Sequence, residues 1–209
     1  MKNIYLLSNL KFPNVENLEV FKINYLKKQI DFNRYDAIIF TSKNAVYSID
    51  SFNKQWKNLP CYAIAKKTAQ IIEKVGGKVD FVGNSGHGNE FAYELLSVLK
   101  NKKVLYLKAS RTVSNLVEIL KSNNIQIEDI AIYETVCNKE LNTNLKDNSI
   151  FIFTSPSSIE CFFKKYSWRS SFEAIVIGNT TAKFLPKEIK YKVSNSTAIE
   201  ECIKLAKNL

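Results

Sequence analysis

Short motifs with hydroxyl side chains occur four times in this chain, each time where an apolar run gives way to a polar segment. At the start of a helix, such hydroxyls lie beside backbone N–H groups that carry partial positive charge, and the two together bind anions. For any single motif, ordinary helix capping is the favoured explanation. The motifs are Thr41-Ser42, Thr68-Ala69, Thr154-Ser155 and Thr181-Ala182.

The motifs repeat in register, which indicates that the chain has two similar halves. The segment around Phe40 is repeated around Phe153, and the segment around Thr68 is repeated around Thr181, both at a spacing of 113 residues. Each half needs only about 100 residues, which is a common domain size. Four motifs paired in this way favour a site that is formed between the halves and binds carboxylates from both sides.

Strand-like apolar runs alternate with helical patterns along most of the chain. This order predicts an α/β fold with a parallel sheet and helices on both faces. Gly76-Gly77 should end one helix, and Ser110 or Thr112 should cap another. In the first half, the predicted strands are residues 37–40, 61–64, 78–82, 104–107 and 127–133, and the predicted helices are residues 44–52, 67–75, 90–100 and 113–122.

The second half repeats this order but lacks one strand, which the beginning of the chain can supply. Residues 3–7 form an apolar run similar to residues 104–107. We therefore expect one discontinuous domain, one continuous domain and two extended segments that form a two-stranded linker between them. The expected boundaries are 1–20 with 140–209 for the first domain, 30–130 for the second domain, and 19–30 with 130–140 for the linker strands.

The motifs of common nucleotide and metalloprotease sites, G-x-G-x-x-G, the P-loop and H-E-x-x-H, are absent from the sequence. A Ser-His-Asp triad would have to use the single histidine, His87. Catalysis must therefore depend on positioning, on hydroxyl or N–H donors, and on one phenol. Tyr133 is the candidate phenol because it lies in the second linker segment, although packing within the linker explains it as well. Arg111 follows a predicted strand, where it can pair with a carboxylate or remain solvated.

The composition favours a globular protein with anionic partners. The net charge of +10 suits nucleic acid, an acidic membrane surface or a polyanionic small molecule, but a lysine-rich composition from an AT-rich genome also explains it. The lysines are scattered, which argues against nucleic acid, and no apolar run approaches the roughly 20 residues of a membrane span. Four widely spaced cysteines are expected to be free thiols in a reducing cytosol and not to bind zinc: Cys61, Cys137, Cys161 and Cys202.

The motifs and their neighbours also match a known family in order and spacing, over essentially the whole chain. The matching segments are Phe40-Thr41-Ser42 with Ala45-Val46, Thr68-Ala69, Tyr133-Glu134-Thr135-Val136, Phe153-Thr154-Ser155-Pro156-Ser157 and Ile177-Gly178-Asn179-Thr180-Thr181-Ala182. In this combination they resemble the uroporphyrinogen-III synthase family. One departure is Ala65, where family members often have glycine. The added methyl group is expected to reduce close approach of the backbone to a ligand.

The resemblance implies a fold, a reaction and a set of site residues. The family has two flavodoxin-like domains with parallel sheets, a two-stranded linker and an active site in the cleft between the domains. Its reaction is that of a lyase: linear hydroxymethylbilane, which carries eight carboxylates, loses water and closes to uroporphyrinogen III with inversion of the last pyrrole ring. No metal or organic cofactor is needed. The resemblance assigns Tyr133 as general acid, and it assigns substrate contact to Ser42, Thr68, Ser155 and Thr181. Their positions at the strand ends and helix starts add further predicted substrate-binding residues: Thr41, Arg111, Ser157, Gly178 and Thr180.

The main alternative is a bilobal protein that binds an anion or another small molecule without catalysis. Such proteins usually carry a signal peptide, whereas the first residues here have the pattern of a strand. The cysteines favour a cytoplasmic location, and a two-lobed chain that needs no partner to complete its cleft is expected to act as a monomer. Its expected partners are the polycarboxylate substrate and, transiently, the preceding enzyme of the pathway, with no nucleic-acid or membrane partner.

Overall fold

The computed structural model describes residues 2–209, which form a mixed α/β fold with two parallel sheets. These residues make two compact units: residues 2–22 with 135–209, called unit 1, and residues 23–134, called unit 2. The helices of residues 2–209 are all too short or too polar to span a membrane. The strands are β1 (Asn3–Leu7), β2 (Glu16–Asn17), β3 (Phe21–Tyr25), β4 (Ala37–Phe40), β5 (Pro60–Ala63), β6 (Lys78–Val82), β7 (Lys103–Ala109), β8 (Gln126–Cys137), β9 (Ser149–Phe153), β10 (Glu173–Val176) and β11 (Tyr191–Val193). The helices are α1 (Lys43–Phe52), α2 (Lys66–Lys74), α3 (Gly88–Leu95), α4 (Leu116–Ser122), α5 (Pro156–Phe163), α6 (Asn179–Ala182) and α7 (Ile199–Lys207).

Unit 2 is built on a six-stranded sheet with the strand order β3-β8-β7-β4-β5-β6. The strands from β8 to β6 pair in parallel. Ile38 and Phe40 of β4 pack in a cluster with α1 and α2, whereas Ala37 and Ile39 pack in a second cluster with α3 and α4. A strand that is apolar on both sides is what a parallel sheet covered by helices requires. The predicted helices on both faces are therefore confirmed for this sheet.

Unit 1 is built on a five-stranded sheet with the order β11-β10-β9-β1-β2, in which all neighbours are parallel. The two faces of its central strand, β9, have different packing partners. Ile150 and Ile152 pack against α7. Phe151 and Phe153 alternate with them and contact the ring of Phe162 on α5. Both faces of β9 are thus buried, and the strand ends directly before Thr154-Ser155.

The chain passes from one unit to the other within β3 and again within β8, which are neighbours in the six-stranded sheet. β8 contains a β-bulge, because Lys108 pairs with Ala131 while the next residue, Ala109, pairs with Tyr133. Ile132 is therefore an extra residue in the strand. Since a bulge redirects the side chains beside it, Ile132 and Tyr133 both lie in the core cluster that α1 and α2 cover.

The predicted start of α4 is wrong. The helix begins at Leu116 with Asn115 at the cap position, so neither Ser110 nor Thr112 caps it. Val113 is 76% exposed. The apolar side chains that α4 buries begin only at Leu116, and the residues before it form a surface segment.

The expectation of four free thiols is also wrong, because Cys137 and Cys161 form a disulfide. Cys137 is the last residue of β8 and Cys161 lies on α5, with a Cα–Cα distance of 5.1 Å. Cys61 and Cys202 are free and buried, and burial raises the pKa of the Cys61 thiol to about 12. Cys137 and Cys161 are 24 residues apart, and this spacing matches no motif from which the disulfide could have been predicted.

Removal of this disulfide should lower the free energy of unfolding by about 3 kcal/mol, because the crosslink restricts the unfolded chain across a loop of this length. The change is measured by denaturant unfolding with and without a reductant. The double variant Cys137→Ser/Cys161→Ser is the control: its unfolding midpoint should match that of the reduced wild type and should not respond to the reductant. A wild-type midpoint that does not respond to reduction would mean that the disulfide does not form in solution.

Candidate functional site

The carboxyl ends of the parallel strands in unit 2 meet at one side of the sheet, where ligands bind in α/β proteins. This side is called edge 2 and comprises residues 41–43, 64–68, 110–111 and 133. Ser42 caps α1 by accepting a hydrogen bond from the Asn44 N–H at 3.1 Å. The Ser110 N–H donates to the carbonyl of Tyr133 at 2.9 Å, which joins the end of β7 to β8. The ends of β4, β5 and β7 and an interior residue of β8 therefore contribute to edge 2.

Thr41 and Ser42 are adjacent, but each is linked to a different tyrosine. The Thr41 hydroxyl lies 2.8 Å from the hydroxyl of Tyr106 on β7. The Ser42 hydroxyl forms a hydrogen bond with the hydroxyl of Tyr133 on β8. Tyr106 packs in the cluster under α3 and α4, and Tyr133 packs in the cluster under α1 and α2. Thr41 and Ser42 thus link edge 2 to the core clusters on both faces of the sheet.

Tyr133 is 8% exposed and belongs to the core cluster that α1 and α2 cover, so it is a packing residue as well as a phenol at edge 2. Burial raises the pKa of the Tyr133 phenol above its ordinary value of 10.0, and the hydrogen bond with Ser42 offsets this rise only in part. The hydroxyl of Ser48 on α1 donates to the neighbouring Ile132 carbonyl. The phenol is therefore protonated near neutral pH and held in place from α1.

The remaining predicted residues of edge 2 lie near the start of α2 and after β7. Thr68 is the third residue of α2 and is 6% exposed. Ala65 occupies the cap position of this helix and provides no side-chain hydrogen bond. Arg111 is exposed and lies two residues after the end of β7. Edge 2 thus combines one capped helix start, at α1, with one uncapped start, at α2.

The corresponding side of the sheet in unit 1 is called edge 1 and comprises residues 154–158 and 177–181. Ser155 caps α5 and forms a capping box with Ser158, in which each side chain accepts a hydrogen bond from the other residue's N–H at 3.2 Å. The Thr154 hydroxyl donates to the Leu7 carbonyl at 2.7 Å, which joins the ends of β9 and β1. Ser157 is the second residue of α5 and is half-buried. The Ser155 and Thr154 hydroxyls thus have partners inside the protein.

The second motif of edge 1 is the start of α6. Thr180 is exposed, and Thr181, which is 4% exposed, is the third residue of the helix, as Thr68 is in α2. Gly178 and Ala65 occupy the cap positions of their helices with similar extended backbones, at φ 176° and φ −163°. The methyl group of Ala65 therefore leaves the backbone conformation of this motif unchanged.

Gly178→Ala should leave stability within about 0.5 kcal/mol of the wild type. A Cβ at this position would meet only the Thr197 methyl group, at 3.7 Å, which is an ordinary contact. If substrate approaches this backbone closely, the methyl group should raise KM roughly fivefold. The control is Ala65→Gly, which removes the corresponding methyl group and should not raise KM. An unchanged KM in Gly178→Ala would show that substrate does not approach this backbone closely.

Comparison with known proteins identifies the family. The family model for uroporphyrinogen-III synthase HemD matches residues 19–200. The chain belongs to the uroporphyrinogen-III synthase family. The crystal structure of the uroporphyrinogen-III synthetase from Helicobacter pylori 26695 is 29% identical in sequence, with a TM-score of 0.86 over 100% of this chain and 99% of that one. The family resemblance noted from the sequence is thereby confirmed.

Two further relatives of the uroporphyrinogen-III synthase family define how far the likeness extends. A mutant uroporphyrinogen III synthase from Thermus thermophilus is 13% identical with a TM-score of 0.57 over 100% of this chain and 99% of that one, which shows a shared fold. The porphyrin biosynthesis protein HemD of Ruminiclostridium josui is 28% identical over 186 residues, or 81% of this chain. The match covers 37% of that relative, so the chain spans little more than a third of its length.

Within each unit, the predicted site residues lie at the carboxyl side of the sheet. At edge 2, Thr41 pairs with Tyr106 and the adjacent Ser42 pairs with Tyr133, in two separate hydrogen bonds. Sequence reasoning missed Tyr106 because a tyrosine inside an apolar strand is usually a packing residue. It also missed Lys43 and Lys67, which belong to the same helix starts as the predicted hydroxyl groups. Their position directly beside the two motifs is the signal that could have found them.

Proposed function

We propose that this chain is a uroporphyrinogen-III synthase that closes linear hydroxymethylbilane to uroporphyrinogen III. The observation that carries the proposal is the end-to-end likeness to the Helicobacter pylori synthetase, at 29% identity and a TM-score of 0.86. The family match over residues 19–200 includes both sets of hydroxyl motifs and Tyr133. The net charge of +10 suits a substrate with many carboxylates.

In this proposal, both units bind the same substrate molecule. They act as two flavodoxin-like domains, with β3 and β8 as the linker, and edges 1 and 2 each bind some of the carboxylates. Thr41, Ser155 and Thr154 already have partners inside the protein, so Ser155 fixes the start of α5, and Thr41 and Thr154 fix the strand ends beside the helix starts. The backbone N–H groups of those starts are then the substrate donors. The chain is proposed to act as a cytoplasmic monomer that receives substrate through transient contact with the preceding enzyme.

The proposed chemistry begins with loss of the terminal hydroxyl group. The Tyr133 phenol donates a proton to this hydroxyl as its C–O bond breaks, and water leaves. Electrons from the attached pyrrole ring stabilise the carbon that remains, and the substituted carbon of the last ring attacks it to give a spiro intermediate. The last ring inverts from this intermediate before the macrocycle closes, and the proton released from the product restores the phenol.

Positioning should contribute more than proton transfer. Hydroxymethylbilane closes spontaneously without inversion, so the enzyme must select a folded conformation of a flexible chain. Orientation of reacting groups can supply about 7–11 kcal/mol of barrier reduction. A positioned acid contributes a factor of about 10²–10⁴. The two edges therefore hold the substrate in its reactive conformation, and Tyr133 assists one step.

The proposed function is tested by isomer analysis. The protein is incubated with hydroxymethylbilane that is generated enzymatically in place, and the oxidised porphyrins are separated into type I and type III isomers. We expect type III to dominate and to form faster than spontaneous closure. Formation of type I alone, at the spontaneous rate, would reject the proposal and would leave a carboxylate-binding protein without catalysis.

A further inference from the structure

Two lysines at the starts of neighbouring helices of edge 2 have no role in the proposed chemistry. Lys43 is the first residue of α1 and Lys67 is the second residue of α2. The two helices follow β4 and β5, which are adjacent parallel strands, with Phe40 paired to Ala63. Both helices cover the same face of the sheet. The two lysines are thus brought to one place at edge 2, next to Ser42.

The two ammonium groups are close enough to affect each other. Burial, and then the charge of Lys67, lower the pKa of Lys43. Within residues 2–209, neither lysine forms an ion pair with a carboxylate, whereas Lys54 and Lys57 both pair with Asp50 at the other end of α1. A lysine at a helix start is also opposed by the positive end of the helix dipole. Like charges held together at this place favour an external anion.

A second observation at the start of α2 indicates the same kind of ligand. The helix has no side-chain cap, because Ala65 occupies that position. Thr68, in the first turn, is 6% exposed, and its hydroxyl forms no hydrogen bond with another group of residues 2–209. The hydroxyl oxygen still reaches the solvent, so the hydroxyl can donate to a ligand from outside. An anion at this helix start would provide acceptors for the N–H groups and for the hydroxyl.

We propose that Lys43, Lys67 and Thr68 form a binding site for one carboxylate of the substrate. The identity of the substrate rests on the proposed function, whereas the site itself rests on the two lysines and the uncapped helix start. The carboxylate lies between the two ammonium groups and accepts hydrogen bonds from Thr68 and the first N–H groups of α2. The lysines act in binding and positioning, and they transfer no proton.

The test measures binding separately from catalysis. Uroporphyrin III, an octacarboxylate, is titrated against the protein by fluorescence, and KM and kcat for type III formation are measured in parallel. Lys43→Gln and Lys67→Gln should each raise Kd and KM about 5- to 20-fold, with kcat changed less than twofold. The control is Lys74→Gln at the opposite end of α2, which should change neither Kd nor KM. Binding by the wild type should also weaken as salt is added.

Two further variants separate a binding role from a structural one. Lys67→Arg retains the charge and should restore most of the affinity. The double variant Lys43→Gln/Lys67→Gln should lose less affinity than the product of the two single losses, since both lysines bind one group. Thermal unfolding of the ligand-free single variants should occur at or above the wild-type temperature, because one of two repelling charges is gone.

The possible outcomes distinguish this site from the proposed function. If the wild type binds uroporphyrin and the glutamine variants do not, but no type III isomer is formed, the carboxylate site stands and the synthase function fails. If type III forms and the glutamine variants keep wild-type Kd and KM, the function stands and the site is overturned. Variants that bind weakly only because they unfold at a lower temperature would also overturn it.

Discussion

Replacing Tyr133 with phenylalanine should lower kcat for type III formation by about 10²-fold or more, with little change in KM. The phenol is the one acidic group that the reaction is proposed to use, and no histidine or carboxylate of edge 2 can replace it. Its side chain belongs to the core cluster that α1 and α2 cover, and phenylalanine retains the ring there. Turnover at saturating substrate is therefore the decisive measurement.

The matched control is Tyr106→Phe, which removes a second buried tyrosine hydroxyl at the same edge, one that bonds to the adjacent Thr41. This change breaks the hydrogen bond with Thr41, and it should cost about 1 kcal/mol of stability while leaving kcat within a few-fold of the wild type. If Tyr133→Phe retains full turnover, or if both variants lose turnover equally, Tyr133 is not the acid.

The pH profile gives an independent check on Tyr133. Because burial raises its pKa above 10.0, the phenol stays protonated throughout the neutral and mildly alkaline range. A group that acts in its protonated form loses activity only as the pH rises through its pKa. Tyr133 should therefore produce no fall in kcat below about pH 10. A fall near pH 8 that disappears in Tyr133→Phe would contradict this assignment.

Phe151→Ala should lower the free energy of unfolding by about 3–5 kcal/mol, the largest stability effect that we expect in this chain. Phe151 is fully buried, and its ring lies 4.7 Å from that of Phe172 and 5.1 Å from those of Tyr5 and Phe162, measured between centroids. These rings close one face of the unit 1 sheet. Removal of the Phe151 ring leaves a cavity, and the neighbouring side chains on β1 and α5 are too rigid to fill it.

The effect is measured by denaturant unfolding, with Phe184→Ala as the matched control. Phe184 is half-exposed and lies in the same unit, so its truncation should cost less than about 1 kcal/mol. Because β9 leads directly into Thr154-Ser155, Phe151→Ala should also raise KM by disturbing edge 1. A loss of stability below 1 kcal/mol would show that the cluster relaxes around the missing ring.

Periodicity predicted much of the fold because the central strands are continuous apolar runs and the edge strands alternate. β4 is buried throughout, β6 alternates between exposed and half-buried residues, and both begin and end where their patterns do, as β1 also does. Helix ends were less predictable. α3 ends at Leu95, five residues before the end of its predicted pattern, because the chain turns after Leu96 and Leu99 still reaches the core from that turn. A side chain can therefore continue an apolar pattern after its helix has ended.

The site could be predicted in part. The hydroxyl motifs mark helix starts, and caps are local, so Ser42 and Ser155 lie where their sequences indicate. The position of Tyr133 depends on the extra residue Ile132 in β8, and no local pattern identifies a bulge. The disulfide depends equally on non-local structure, since Cys137 meets Cys161 only after β8 and α5 have packed.

The pairing of β1 with β9 has a consequence for the synthesis of the chain. Residues 23–134 form unit 2 from one continuous stretch, which can fold while the rest is being made. β1 cannot complete its sheet until Ser149–Phe153 has left the ribosome. At about 5–20 residues per second, this apolar strand waits roughly 7–30 seconds for its partner. A more hydrophobic Asn3–Leu7 segment should therefore increase aggregation of the nascent chain and its need for chaperones.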